Sequence, residues 1–209
     1  MVRAMGQVQT LSSPSPGEVV KTADQRVILH GVPWSHYEVM LALRGDAPLP
    51  RMTYLRGELE LLSPSQDHER IKTLIARLLE VYALAKTLPL NGFGSWTLRD
   101  APGERGAEPD ECYVLGDARG RDRPDLAIEV VWTSGSLDKL AVYAGLGVGE
   151  VWFWREGRIE VHVLRGGAYA RVERSALLPD LDVELLARFL TYDDQTRAAR
   201  EYLTELGGA

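Results

Sequence analysis

Five side chains in this sequence have types and settings suited to chemistry: Glu129, Asp110, Glu58, Lys139 and His68. Glu129 is the most informative, because Ala127, Ile128, Val130 and Val131 flank it. A carboxylate buried among such neighbours is strongly destabilising unless it is matched by a cation, by a metal ion, or by a proton held through a raised pKa. A structural ion pair with an arginine is the simplest of these. Asp110 follows Pro109 at the head of a short run that reads as a strand, although Pro-Asp also opens turns. Asp125 after Pro124 is open to the same two readings and shares strand parity with Glu129. Taken singly, Glu58 suits a solvated strand position, Lys139 a surface lysine, and His68 a hydrogen-bonding residue at a helix terminus. Taken together, carboxylates and one lysine on neighbouring strands and an adjoining helix suit phosphodiester hydrolysis. Mg²⁺ (or Mn²⁺) takes oxygen ligands, one or two of them carboxylates. It lowers the pKa of a bound water and offsets charge on the phosphate. A nearby lysine orients the attacking water or stabilises the pentavalent phosphorus.

These residues need elements to hold them. Leu59 and Leu61 alternate with Glu58 and Glu60 in the second half of a hairpin over 52–62, turned by Arg56-Gly57. That alternation predicts one apolar face and one carboxylate face. Ile71, Leu74, Ile75, Leu78, Leu79 and Tyr82 recur at helical spacing after Ser63-Pro64-Ser65, so a long amphipathic helix begins near His68, with Asp67 and Glu69 in its first turn. Pro124 to Trp132 is nearly all apolar and reads as a strand buried on both faces. Ser136 caps a following helix that carries Lys139 and ends at Gly145 or Gly147. Elsewhere the pattern predicts a helix from Ser35 to Gly45 with Ser35 and Glu38 as a capping box. It also predicts a strand over 93–98, a polar loop over 99–108 and a strand over 109–115. Three strands over 150–172 and helices over 182–190 and 193–206 complete the order. This is an α/β (α+β) chain with a mixed β-sheet core flanked by helices. Residues 1–26 read as a flexible N-terminal arm and 27–209 as a single domain with C-terminal helices.

Composition narrows the function classes. The chain has 209 residues, 45% hydrophobic and 26% charged, within the globular range. Its net charge of −6 argues against a generic nucleic-acid coat held by overall charge. Arg51, Arg56, Arg70, Lys72, Arg121 and Arg123 could still form a local basic rim. The single cysteine, Cys112, excludes an intramolecular disulfide and fits a reducing, cytoplasmic setting. No secretory signal and no membrane-spanning apolar run is visible. Gly145-Leu-Gly147-Val-Gly149 follows a helix and is not a dinucleotide fingerprint. There is no phosphate-binding loop, no nucleophile elbow and no zinc spacing. Trp132, Trp152, Phe153 and Trp154 could stack bases, but fit a core or a dimer seam better.

The ordered motifs GELELLSPSQDHERI, PDECYV, RPDLAIEVV and DKLAVYAGLGVGEVWFW together resemble the Uma-type family of restriction-endonuclease-like proteins, long catalogued as a domain of unknown function. That family falls in the PD-(D/E)XK nuclease superfamily. The resemblance spans about residues 33 to 165 and implies a restriction-endonuclease-like fold and metal-dependent endonuclease activity on DNA; a homodimer is compatible with it, because a nuclease that cuts both strands often pairs two sites. It implies that Asp110 is the motif aspartate and a metal ligand, and Glu129 the motif acid and a second metal ligand. Glu58 would be an additional acidic member of the pocket, His68 the histidine heading the long helix, and Lys139 the lysine opening the helix after the motif. Two residues after Glu129 stands Val131 where the superfamily has lysine, a departure the Uma-type family often shares. Lys139 is the candidate replacement. The alternative is a catalytically inactive nuclease-like binding or regulatory module.

Overall fold

A computed structural model describes residues 23–132 and 137–207. Two sheets organise them. The first runs β1 (Gln25–His30), β3 (Glu58–Ser63), β2 (Arg51–Leu55), β6 (Arg105–Ala107), β5 (Leu98–Asp100), all antiparallel. The second is mixed. Its order is β11 (Ala168–Val172), β10 (Arg158–Arg165), β9 (Glu150–Arg155), β8 (Leu126–Val130), β7 (Glu111–Leu115), β4 (Leu90–Gly92). Only β8 and β9 in it are parallel, and α3 (Lys139–Leu146) connects them. The mixed sheet flanked by helices agrees with the fold class expected from the sequence.

Burial explains the layering. Leu126, Ile128 and Val130 face α2 (Gln66–Ala85), α4 (Val183–Phe189) and α5 (Gln195–Glu205), packing with Leu74, Leu78, Leu186 and Tyr202. Ala127, on the opposite face of β8, packs with Val142, Tyr143 and Leu146 of α3. Every residue of β8 is therefore buried, as its apolar run requires. Trp152 and Trp154 join the α2 side and Phe153 the α3 side, so this aromatic run is core. A third cluster sets α1 (Trp34–Arg44) against the first sheet through Tyr37, Tyr54 and Leu59. Among the described residues no helix is long and apolar enough to cross a membrane.

Several local expectations are corrected. β1 begins at Gln25, two residues inside the expected arm, because its pairing with β3 runs from Gln25 opposite Ser63. α1 begins at Trp34 with Pro33 as N-cap and no side-chain cap bond, so Ser35 and Glu38 form no capping box. The strand expected over 93–98 is replaced by β4 and β5, and the expected loop holds β6. Ser136 lies outside the described residues; the cap of α3 is Asp138, whose carboxylate accepts from the Ala141 N–H at 3.1 Å. The long helix is as the periodicity predicts: Ser65 caps it, accepting from the His68 N–H at 3.3 Å.

Candidate active site

Strand register brings the two principal acids together. β7 is antiparallel to β8 with Glu111 opposite Ile128, so one step further sets Asp110 against Glu129. Asp110 Oδ2 accepts from the Val130 N–H at 2.7 Å, which fixes its carboxylate against the end of β8. Both side chains are buried, at 1% and 2% exposure.

Glu129 shares the α3 face of β8 with Ala127. There Lys139 and Tyr143, one helical turn apart, both reach it. Lys139 Nζ is 2.6 Å from Glu129 Oε2, and the Tyr143 hydroxyl donates to Oε1. Burial raises the Glu129 pKa; Lys139 opposes this, and the Asp110 charge opposite adds to it. Burial alone would lower the Lys139 pKa, but Glu129, Asp110 and Glu60 outweigh burial and raise it, so the lysine stays charged. Tyr143 is pushed well above the ordinary phenol range by burial and by Glu129.

Asp110 has partners of its own. His68 Nε2 lies 3.0 Å from its Oδ1, and the Arg51 guanidinium bonds the same oxygen. The other ring nitrogen of His68 is 3.0 Å from Asp24 Oδ2, and Asp24 also accepts from the Ser65 N–H at 2.8 Å. Burial would lower the His68 pKa, yet the flanking carboxylates of Asp110 and Asp24 raise it to about 9. The imidazole is thus cationic at neutral pH. Burial alone would raise the Asp110 pKa, but His68, Arg51 and Lys139 hold it well below the ordinary carboxylate range. The counterparts that the buried acids demand are therefore present in the protein itself: lysine and tyrosine on Glu129, histidine and arginine on Asp110.

Of the residues singled out in the sequence, Asp110, Glu129, Lys139 and His68 converge; Glu58 does not. It sits by the hairpin turn, its side chain 46% exposed and 3.0 Å from the His30 ring. The buried acid on that strand is Glu60, fully enclosed between Arg26 at 3.2 Å and the Leu137 N–H at 3.2 Å. Leu59 packs toward α1 on one face of β3, and on the carboxylate face Glu60 is covered while Glu58 is not. Asp125 stands apart, accepting from the Leu115 N–H at 2.9 Å and pairing with Arg121. Of the expected basic rim, Arg51 is buried inside the site, Arg70 donates to the Tyr192 carbonyl and Lys72 pairs with Glu69. Sequence reasoning missed Asp24 and Tyr143, read Arg51 only as part of a basic rim and Glu60 only as part of a carboxylate face. Local signals existed for Tyr143, in its four-residue spacing from Lys139, and for Glu60, in the alternation of the hairpin.

The Uma2 family, described as "Putative restriction endonuclease", matches residues 34–192, more than half of the chain. The chain belongs to this family. The Uma2 match takes in Arg51, His68, Asp110, Glu129 and Lys139, and leaves Asp24 outside it. A crystal structure described as a "putative nuclease" from Anabaena variabilis is similar at 15% identity and TM-score 0.47, over 78% of this Uma2 chain and 96% of its own. No curated protein matches the chain.

Proposed function

We propose that this protein is a Mg²⁺-dependent endonuclease, with Mn²⁺ able to substitute, that hydrolyses phosphodiester bonds in DNA. Asp110 and Glu129 would be the metal ligands and Lys139 the catalytic ammonium. The observation that carries this reading is the 2.6 Å contact between Lys139 and Glu129, both buried. It gives Glu129 the lysine that Val131 cannot supply, from the start of the next helix.

The donor set fits the ion. Magnesium takes oxygen ligands and needs only one or two from protein carboxylates. Asp110 and Glu129 offer oxygen alone, and the charge of one raises the pKa of the other, a repulsion that a bound dication would relieve. Among the described residues no third acid, histidine or cysteine joins them around a common point. When bound, the ion would supply an acidified water and charge neutralisation at the phosphate. The chain's own residues do the rest. Lys139 stabilises negative charge developing on the phosphate oxygens. Asp24 orients the His68 ring, and the His68 cation keeps Asp110 ionised. The acidic role that the resemblance gives to Glu58 suits Glu60 better, because Glu60 lies close enough for its charge to act on Lys139. A homodimer, presenting two such sites to a duplex in the cytoplasm, belongs to the same reading.

A second reading has its own observation. Each carboxylate oxygen of Asp110 and Glu129 already meets a protein donor or cation. That arrangement also suits a nuclease-like binding or regulatory module that cleaves nothing. Plasmid nicking with Mg²⁺ or Mn²⁺ separates the two: the endonuclease reading expects cleavage by the wild type and none by Asp110→Ala. Equal rates in both would refute it.

A further inference from the structure

Arg51 stands on β2 of the first sheet, whereas Asp110 immediately precedes β7 of the second, and the Arg51 side chain is 7% exposed. Its guanidinium reaches two acids at once. Nη1 bonds Asp110 Oδ1, and Nη2 donates to Glu69 Oε1 at 2.7 Å. These acids differ in setting. Asp110 is enclosed, whereas Glu69 is 38% exposed on the first turn of α2, with Lys72 Nζ 2.7 Å from its other oxygen.

We propose that Arg51 holds the place of the divalent ion on Asp110 while the protein is metal-free, and so acts as a positioning residue that sets the ion's affinity. The inference rests on the metal-dependent reading above. Three observations argue for it. Asp110 Oδ2 accepts from the Val130 N–H while Arg51 and His68 both lie on Oδ1, so the guanidinium already matches charge on a carboxylate that an ion would have to share. A buried carboxylate must be matched before any ion arrives, and His68 and Arg51 are the side chains that do so here. The guanidinium also has somewhere to go: its rigid fork can keep one arm on Glu69 as the other leaves, so its charge is never left unpaired.

The test is calorimetric titration with Mn²⁺ alone of the wild type, Arg51→Gln and Lys72→Gln. Arg51→Gln is expected to bind Mn²⁺ about tenfold more tightly or better, and its thermal midpoint to rise more on adding Mn²⁺. Lys72→Gln removes a nearby charge that pairs with Glu69, and it is expected to stay close to the wild type. Affinity in Arg51→Gln no tighter than in the wild type overturns the proposal and leaves the metal site standing. An equal gain in Lys72→Gln overturns it as well, because the effect would then be a general field. If neither the wild type nor Arg51→Gln takes up Mn²⁺ at millimolar concentration, the metal reading falls and this inference falls with it. Should Arg51→Gln not fold, Arg51→Lys replaces it. Its single ammonium engages one acid at a time, so affinity is expected to rise several-fold, and an unchanged value is the overturning result.

Discussion

The cationic His68 makes the protein's stability depend on pH in a window set by one side chain. Its pKa is about 9 in the folded protein and 6.5 by its ordinary value. A group whose folded pKa is raised contributes fully below the unfolded pKa, and its contribution is lost as pH rises through the folded pKa. Between pH 6.5 and 9 the folded imidazole keeps its proton and the unfolded one does not, so stability falls by about 1.4 kcal/mol per pH unit. Across the window that amounts to about 3 kcal/mol, which for a chain of this size lowers the thermal midpoint by about 6–12 °C. Urea denaturation at pH 6 and pH 9.5 measures the loss directly. His68→Gln is less stable at pH 6, because Asp110 and Asp24 lose the cation between them, but its stability is flat across the same window. If the wild type and His68→Gln show the same pH slope, the Asp24–His68–Asp110 chain is not the source and the reasoning is wrong.

Lys139→Met leaves Glu129 with the Tyr143 hydroxyl and no cation, a loss of about 3–5 kcal/mol at pH 8 for a broken buried pair. The loss shrinks as pH is lowered from 8 to 5, because burial raises the Glu129 pKa and a carboxyl with a raised folded pKa loses stability as pH climbs above its unfolded value. Denaturation curves at both pH values check this. The Cys112 thiol is fully enclosed and pushed up to about 12 by burial, so native protein stays inert to thiol reagents at pH 8 and reacts only on unfolding. Rapid stoichiometric labelling of the native protein would contradict that.

The parts of the fold that announce themselves locally are the parts the sequence reveals. The 3-and-4 spacing from Ile71 to Tyr82 yields α2, and the apolar run around Glu129 yields a strand buried on both faces. β5 and β6 are three residues each, too short for any alternation to register. Periodicity tells which side chains share a face, not which face is covered. Glu58 and Glu60 share one; the first is by the turn and the second is sealed beneath Leu137 and Arg26. Arg51 lies 59 positions from Asp110 and Asp24 lies 44 from His68. Contacts at such separations depend on how the two sheets meet, which no local pattern encodes.

The parallel pairing of β8 and β9 has an effect beyond topology. A crossover helix between parallel strands must start above the carboxyl end of the first strand. β8 ends one residue after Glu129, and α3 opens with Lys139. Such an architecture gives an ammonium group two mounting points over the same carboxylate, along the strand itself or at the head of the helix that leaves it. Under the proposed reading Lys139 serves Glu129 from the helix head, and a search for the acid-x-lysine string alone would pass over such a chain.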